Sequence, residues 1–438
     1  MDAPYLHPDV ETLPRQERRR SQAAAFARQL AAVAASSPFY QRKFAAVGIH
    51  PSRLPLERLT DLPFTTKDEL KADQEVHAPW GEFLAAPLTA CVRLHQTSAT
   101  TGRPLLILES RRDWQDLSRI YARALYAMGV RSTDMVLPAF SFGPWVGFWG
   151  GVFAIQELGA LFFPSGGMST EQRIDTLLSY PITVLGCTPS YGLHLAEAAA
   201  KRGIDLATRS RLRLSWHTGE PGASIPTTRA LLARRLGTRV FDLPGLTEIA
   251  PWGFSCAAES GQVHLHEDVI YAEVLDVESE RPVGPGERGE LILTHLRREA
   301  MPFIRYRTRD LVEVARRPCP CGRTFLSFQG GVLGRLDDLK KIRGVLISPA
   351  HIEEVVRGAP AVSEFEIVLR RLQGLDDILV RLEAPEQALR EGLLTELAAN
   401  LRLRLGLRVT VEAAPSGSLR RWDHKARRLR DERQEVPF

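Results

Sequence analysis

The spacing of apolar residues divides the chain into regions with different predicted secondary structure. Over residues 15–49, Ala, Phe and Leu recur at helical spacing, which predicts an N-terminal helical region. From about residue 88 to 250, short apolar runs alternate with helical stretches, a pattern typical of an α/β sheet with parallel strands. Strands dominate the pattern from 262 to 315, and a smaller α+β unit is predicted from about residue 335.

The same pattern predicts individual elements. Thr66 precedes Lys-Asp-Glu, an arrangement that begins a helix by capping its first turn. The polar run 334–338 predicts a domain boundary, with domains at 1–334 and 335–438. The predicted strands are 90–94, 135–138, 183–186, 239–242, 269–277, 289–294, 365–369 and 378–383, and the predicted helices include 114–128, 190–201, 349–357 and 385–405.

Composition narrows the class of protein. A chain of 438 residues is too long for one core, so two or more domains are expected. Hydrophobic content of 44% and charged content of 25% are ordinary for a soluble globular protein. No apolar run approaches the ~20 residues that span a bilayer, and the start lacks the pattern of a secretory signal, so we expect a cytoplasmic protein. The net charge of +5 comes from scattered arginines without a basic stripe, which argues against nucleic-acid binding.

Lys425 is an unusual residue in this composition. Of 57 basic residues only seven are lysine, and this one follows the last predicted secondary structure. An ammonium is a compact point charge, whereas the arginine fork is planar. The position suggests a cation delivered to an active site built elsewhere in the chain; a solvated basic tail is the alternative interpretation.

Three further segments carry residues suited to a nucleotide. Residues 97–104, Thr-Ser-Ala-Thr-Thr-Gly-Arg-Pro, follow a predicted strand and offer N–H and O–H donors to phosphate, unless they form an ordinary turn. Glu248 ends the segment 241–248 and is a candidate Mg²⁺ ligand. Asp310, at the predicted end of a strand, is a candidate acceptor for ribose hydroxyls or, alternatively, a member of a buried ion pair.

The cysteines suggest a metal site. Cys319-Pro-Cys321-Gly forms a tight turn, and Cys256 and His264 lie upstream, so three thiolates and one imidazole complete a tetrahedral set for structural Zn²⁺. His266 is an alternative fourth ligand, and two free thiols on a loop are the simpler interpretation. The other two cysteines, Cys91 and Cys187, lie in apolar strands and are expected in the core.

Taken together, these motifs resemble the adenylate-forming superfamily of acyl-CoA synthetases, adenylation domains and luciferases. The nearest branch is the phenylacetate–CoA ligase family, through Pro-Phe-Tyr at 38–40, Leu-Pro-Phe-Thr-Thr-Lys-Asp at 62–68, Cys-Thr-Pro-Ser-Tyr at 187–191 and Glu-Ala-Met-Pro at 299–302. The resemblance covers nearly the whole chain. It implies a large α/β domain with a mobile C-terminal lid, ATP, Mg²⁺ and CoA as reactants or cofactors, and an acyl-adenylate intermediate.

The resemblance also implies roles for individual residues. Lys425 would reach the carboxylate and α-phosphate, Glu248 would bind Mg²⁺, and Asp337 would be the hinge of the lid. The residues that would bind the nucleotide are Ser98, Thr100, Thr101, Gly102, Gly219, Glu220, Pro221, Asp242, Gly245, Thr247, Asp310 and Arg335.

Some positions depart from the family pattern. Ala99 and Arg103 replace a Gly and a Lys of the phosphate loop, and Pro244 replaces a Tyr that stacks on adenine, so we expect weaker ATP affinity. In the aromatic segment 140–151, Trp145 and Phe148 are candidates to contact an aromatic acid, with His217 as a polar contact; plain core packing is the alternative for each.

Two questions stay open at this point. The acyl acceptor is CoA in our preferred interpretation, with a carrier protein or an amine as the alternative. A non-catalytic binding protein of the same fold is a different class, which the presence of Lys425 disfavours. The pattern does not fix the oligomeric state and is compatible with a homodimer.

Overall fold

A computed structural model describes residues 4–50, 54–97, 103–141, 143–343, 345–372, 375–422 and 426–433. The helices in chain order are α1 Pro8–Glu11, α2 Arg15–Ser36, α3 Pro38–Ala46, α4 Lys67–Val76, α5 Arg111–Met128, α6 Val146–Glu157, α7 Thr170–Ser179, α8 Pro189–Lys201, α9 Leu206–Arg209, α10 Pro226–Leu236, α11 Pro349–Arg357, α12 Glu386–Arg390 and α13 Leu393–Leu405.

The strands alternate with these helices and then dominate the middle of the chain. In chain order they are β1 Cys91–Gln96, β2 Leu106–Ser110, β3 Met135–Pro138, β4 Leu161–Phe162, β5 Val184–Cys187, β6 Leu214–His217, β7 Arg239–Asp242, β8 Gly245–Leu246, β9 Ala250–Pro251, β10 Gly253–Ser255, β11 Gln262–Leu265, β12 Ile270–Leu275, β13 Arg288–His295, β14 Tyr306–Glu313, β15 Ser327–Gln329, β16 Gly334–Arg335, β17 Lys340–Ile342, β18 Val345–Ile347, β19 Glu364–Leu372, β20 Leu375–Glu383, β21 Thr410–Ala413 and β22 Leu429–Asp431.

The N-terminal helices form where the pattern predicts them. In α2, Phe26, Leu30 and Val33 recur every three or four residues and are fully buried, so one face of the helix packs into a core. The Thr66 side chain accepts the N–H of Glu69, and the Glu69 carboxylate accepts the N–H of Thr66. This capping box satisfies donors that the first turn of α4 would otherwise leave unpaired, which confirms the predicted helix start.

The chain divides into two compact units. The first consists of Met1–Gly167, Val184–Gly186 and Phe241–Gly331, and the second of Met168–Thr183, Cys187–Val240 and Val332–Phe438. The C-terminal region therefore shares its unit with two earlier segments. The boundary at 334/335 stays a prediction.

The first unit contains parallel and antiparallel strands. Strand β3 lies between β4 and β5 and is parallel to both, which confirms the prediction of parallel pairing in this region. Strand β1 does not belong to that sheet, because it pairs antiparallel with β2. The strands β12, β13 and β14 form an antiparallel meander, as expected where strands dominate the pattern.

In the second unit, a four-stranded sheet has the order β21-β20-β19-β22. Strands β19 and β20 are antiparallel, and the two outer strands run parallel to their neighbours. Helices α11 and α13 contribute Ile352, Val356, Leu397 and Leu401 to a core that also contains Phe365 of β19. This arrangement is the predicted α+β unit.

One predicted element is corrected. The helix expected over 385–405 is two helices, α12 and α13, separated by Gly392 with φ of 93°. Glycine adopts this left-handed conformation without the steric cost that a side chain imposes, so the chain turns there. None of the helices in the described ranges is long and apolar enough to cross a membrane.

Candidate active site and candidate metal centre

The predicted phosphate loop is described only at its base. Ser98, Thr100, Thr101 and Gly102 lie outside the described residues, as does Ala99. Thr97 precedes them and is buried. Its backbone N–H donates to the carbonyl of Leu105 at 3.0 Å, and its hydroxyl accepts the Leu105 N–H at 3.0 Å. These two hydrogen bonds hold together the ends of the segment between 97 and 105.

Glu248 is a buried carboxylate with a cation and a phenol as neighbours. It is 3% exposed, and its Oε1 lies 3.0 Å from Lys67 Nζ and accepts the Tyr306 hydroxyl at 3.1 Å. Glu248 lies in the tight turn that joins the antiparallel strands β8 and β9. A Cβ at Gly245 would lie 2.9 Å from the carbonyl oxygen of Ala250, so the turn requires glycine. The arrangement places one carboxylate in a setting suited to a hard cation.

The two predicted aspartates of the nucleotide site are both buried in the first unit. Asp242 ends β7, and its N–H donates to the Ser255 hydroxyl at 3.1 Å. Asp310 lies inside β14, three residues before its end, rather than at the end of a strand as predicted; its N–H donates to the Thr308 hydroxyl at 3.0 Å. The strand is longer than predicted because alternating buried positions continue to Glu313.

In the second unit, the segment predicted to face adenine contacts the chain beside Lys425. Gly219 has φ of 95°, and the Glu220 carboxylate that follows accepts the N–H of Ser190 at 2.8 Å and of Ala426 at 2.6 Å. Burial raises the pKa of Glu220, although these hydrogen bonds and Arg428 act in the opposite direction. Lys425 itself lies outside the described residues.

The other predicted residues of this unit are Pro221 and two residues at the proposed boundary. Pro221 is half-buried directly after Glu220. Arg335, in β16, pairs with Asp337 at 3.1 Å, and the Asp337 side chain is half exposed. Arg335, predicted to bind ribose, therefore contacts Asp337, the predicted hinge.

The aromatic segment around α6 combines one exposed ring with buried ones. Trp145 precedes α6 and is 38% exposed, whereas Phe148 is buried and its ring meets Trp149 edge to face at 5.1 Å. The Tyr121 ring of α5 packs against α6 at Gly150, where a Cβ would lie 2.3 Å from the ring. The position of α6 therefore depends on a close approach that only glycine permits.

His217 is a buried histidine with a partner for each nitrogen. Its Nε2 lies 3.0 Å from the Ser215 hydroxyl, and its Nδ1 lies 3.6 Å from the Cys187 sulfur. Burial lowers its pKa to about 4, so the ring is neutral near pH 7. This environment is that of a hydrogen-bonded core histidine. Cys187 is fully buried, as predicted, whereas Cys91 is only half-buried.

Cys256, His264, Cys319 and Cys321 come together in the first unit. One donor atom from each lies within 4.8 Å of the others. Cys256 Sγ lies 3.5 Å from Cys319 Sγ, and Cys321 Sγ lies 3.5 Å from His264 Nε2. Zinc bonds of about 2.3 Å to sulfur and 2.0 Å to nitrogen, at tetrahedral angles, separate ligands by distances of this size. The four predicted ligands therefore fit one tetrahedral ion.

His266 does not belong to this cluster, although it was the alternative fourth ligand. Its ring is buried, and its Nδ1 lies 3.4 Å from Arg123 Nη1. Burial and the neighbouring Arg123 lower the pKa of His266 well below its usual value. Residues two apart in a strand point to the same face, so the alternation could not distinguish His264 from His266. His266 lies one residue beyond the end of β11.

The cysteine turn is also tied to the N-terminus. The Tyr5 hydroxyl donates to the carbonyl of Cys321 at 2.7 Å, and Arg323 pairs with the buried carboxylate of Glu11 at 2.6 Å. Gly322 between them has φ of 79°, and a Cβ there would meet the Tyr5 hydroxyl at 2.5 Å. These contacts fix the backbone that presents the two sulfurs.

Comparison with known proteins identifies the family. A profile of the AMP-binding enzyme C-terminal domain matches residues 344–433. A phenylacetate–coenzyme A ligase of Thermus thermophilus is 35% identical over 391 residues, covering 88% of this chain and 85% of the relative. A phenylacetate–coenzyme A ligase of Pseudomonas putida is 33% identical over 90% of each chain. The chain belongs to the phenylacetate–CoA ligase family.

A solved structure extends the likeness to the fold. A 2-hydroxyisobutyryl-CoA ligase, in the postadenylation state with R3-HIB-AMP, matches with a TM-score of 0.93 at 30% identity, over 99% of this chain and 93% of the other. The mixed α/β adenylate-forming fold is thus confirmed. As a member of the phenylacetate–CoA ligase family, the chain is an AMP-forming acid–thiol ligase that works through an acyl-adenylate.

Three residues close to the predicted site residues of this ligase were not predicted. Lys67 and Tyr306 hold the Glu248 carboxylate, and Arg421 lies four residues before Lys425 in an ion-pair network. Lys67 offered a signal, because lysine is rare in this chain and this one begins a helix within a family motif. Arg421 offered none, since arginine is the common cation here.

Proposed function

We propose that the protein uses ATP to convert a carboxylic acid into an acyl-adenylate and pyrophosphate, and then transfers the acyl group to CoA. The observation that carries the proposal is the hydrogen bond from the Ala426 N–H to Glu220 at 2.6 Å. It brings the residue after Lys425 to the segment that the family resemblance assigns to adenine. An ammonium beside the α-phosphate stabilises the negative charge that develops there as the carboxylate attacks.

The nucleotide residues are proposed in roles that suit their surroundings. Glu248 would hold Mg²⁺, whose charge neutralises phosphate oxygens when it is bound. The Lys67 ammonium at 3.0 Å supports this role, because it indicates that the carboxylate already attracts a cation. Asp310 and Arg335 would bind ribose. The remaining nucleotide contacts would come from Ser98, Thr100, Thr101, Gly102, Gly219, Glu220, Pro221, Asp242, Gly245 and Thr247.

An aromatic acid is the proposed substrate. The support is the concentration of rings at the start of α6, where Trp145 precedes the helix and Phe148 lies in its first turn, together with the phenylacetate ligases among the relatives. Flat apolar slots suit aryl groups. A small hydroxy acid is the competing class, because a 2-hydroxyisobutyryl-CoA ligase has the same fold.

A pyrophosphate-release assay tests the proposal. Wild-type protein would be given ATP, Mg²⁺ and phenylacetate, benzoate, 2-hydroxyisobutyrate or acetate in turn, with and without CoA, and the thioester would be quantified by chromatography. We expect the aromatic acids to react fastest and Lys425→Ala to lower adenylation by about 10²–10³-fold. Lys71→Ala, which removes a lysine of α4 that has no proposed role, is the control. No pyrophosphate with any acid, or an unaffected Lys425→Ala variant, would overturn the proposal.

We also propose a structural zinc ion at Cys256, His264, Cys319 and Cys321. The donor set and its spacing support Zn²⁺ in a closed site with no open coordination position. An ion there would hold strand β11 against the turn at 319–321. It supplies stability and takes no part in the reaction.

The organisation of the chain is proposed from the family resemblance. Residues 1–334 would bind ATP and the acid, and residues 335–438, which contain the profile match at 344–433, would form a lid with Asp337 at its hinge. A cytoplasmic location, a homodimer and a carrier protein as partner stay predictions.

A further inference from the structure

Arg421 joins two carboxylates four residues before Lys425. Its Nη2 and Nε lie 2.7 Å and 2.8 Å from the two oxygens of Glu197, so this pair is bidentate. Its Nη2 and Nη1 also donate to Glu383 at 2.8 Å and 3.2 Å. The Arg421 side chain is only 15% exposed, which limits the screening of these ion pairs by water.

The two carboxylates have different locations in the second unit. Glu383 ends β20, is 1% exposed, and also accepts the N–H groups of Gly417 and Leu419. It therefore belongs to the C-terminal sheet and shapes the segment that contains Arg421. Glu197 instead lies on α8, 224 residues away from Arg421 in the chain. The Arg421–Glu197 pair thus ties the chain before Lys425 to α8.

The charges of this pair are mutually stabilised. Burial acts to raise the pKa of Glu197, but hydrogen bonds from Arg421 and Lys201 reverse the effect and lower it. Lys201 is a weaker partner, because its side chain is 66% exposed and it contacts Glu197 through one nitrogen at 3.0 Å. Arg421 therefore fixes the orientation of the Glu197 carboxylate, because it donates a hydrogen bond to each of the two oxygens.

The chain is held on the other side of Lys425 as well. Ala426 donates its N–H to Glu220 at 2.6 Å, and Arg428 donates to the Ser190 hydroxyl at 3.2 Å. Glu197 and Ser190 both lie on α8. The residues before and after Lys425 therefore contact the same helix and the adenine-side segment that follows β6.

We propose that Arg421 and Glu197 are positioning residues for the adenylation half-reaction. Their ion pair holds Arg421 on α8, four residues before the lysine to which the proposed function gives the cationic role. The proposal rests on the proposed function, in which Lys425 acts in the first half-reaction and not in the second. Loss of the pair lowers the fraction of molecules with Lys425 in place and slows adenylation selectively.

Glu197→Gln is the test variant, because it removes the charge of a half-buried surface residue and leaves Arg421 paired with Glu383. Two rates are measured with phenylacetate, or with 2-hydroxyisobutyrate if that acid reacts faster. The first is pyrophosphate release from ATP and acid without CoA. The second is thioester formation from purified acyl-adenylate and CoA. We expect the first rate to fall about 10-fold and the second to stay within about twofold of wild type.

Matched variants separate positioning from general damage. Glu354→Gln removes a comparable ion pair with Arg404, at 2.8 Å, that lies within the C-terminal region, and it should leave both rates unchanged. Arg421→Lys keeps the charge but loses the fork, and it should give a smaller selective loss than Glu197→Gln.

The outcomes distinguish two kinds of failure. An active wild type with Glu197→Gln adenylation within twofold of it, or with both half-reactions slowed equally, overturns this inference and leaves the proposed function intact. A wild type that releases no pyrophosphate overturns the proposed function and this inference with it.

Discussion

Replacing Gly150 with alanine tests whether close packing against Tyr121 sets the position of α6. A Cβ at Gly150 would lie 2.3 Å from Cε2 and 2.6 Å from Cδ2 of the Tyr121 ring. Both distances are shorter than non-bonded carbon atoms allow. Tyr121 is 3% exposed on α5 and has little room to move. Overpacking costs about 1–3 kcal/mol, and alanine in a helix gains about 0.5–1 kcal/mol over glycine. We therefore expect a net loss of about 1–2 kcal/mol.

Gly147 provides a matched control in the same helix. Among the described residues outside the helix backbone, a Cβ there would have only the Tyr121 hydroxyl nearby, at 3.7 Å, which is ordinary contact. Gly147→Ala should therefore stabilise the protein by about 0.5–1 kcal/mol. Urea unfolding followed by tryptophan fluorescence measures both variants. Equal stability of the two alanine variants would refute the packing argument.

The same substitution should affect the acid more than the nucleotide. Pushing α6 away from Tyr121 also moves Phe148 and Trp145, the proposed contacts of the acid. We expect Gly150→Ala to raise KM for the acid several-fold while KM for ATP changes little. A rise confined to KM for ATP would contradict the assignment of α6 to the acid site.

Three further outcomes are expected. Cys319→Ser should lower zinc, measured by elemental analysis, from about one equivalent to below about a tenth, while Cys91→Ser keeps it. Lys67→Met leaves the Glu248 carboxylate with one partner fewer and should lower the free energy of unfolding by about 1–3 kcal/mol. Addition of Mg²⁺ with ATP should make this loss of free energy smaller. The buried His217 has a pKa of about 4, below its unfolded value of about 6.5. The unfolded chain therefore binds the extra proton between these pH values, and His217→Gln should flatten the rise of unfolding free energy with pH in that window.

Local pattern predicted much of the fold. Strands β3 and β7 and helix α11 have the predicted ends, because a short apolar run between polar turns, or a Pro at the first helical position, defines an element through its own sequence. The grouping of the four candidate metal ligands was predictable for a similar reason, since they occur as two short-range pairs in a strand-rich region. The split between α12 and α13 was missed, because Gly392 inside a helical pattern is often tolerated.

Contacts between distant segments were not predictable. Nothing near Glu248 in sequence indicates that Lys67 and Tyr306 will reach it, because the three residues come from separate elements that meet only in the folded unit. The same holds for Arg421 and Glu197. The periodicity of a helix shows which face is buried but not which distant charge it will meet.

The use of two cations in this chain has a physical logic. Arginine forms the pairs that hold segments together, as Arg421 does with Glu197 and Arg323 with Glu11, because its fork engages both oxygens of a carboxylate and keeps its charge when buried. Lys67 contacts Glu248 through a single atom, and its side chain is 36% exposed. A contact of that kind is readily exchanged when a metal ion competes for the carboxylate. We therefore expect a metal ion to displace Lys67 from Glu248, and Lys425 is likewise proposed at a place where its charge must be able to leave.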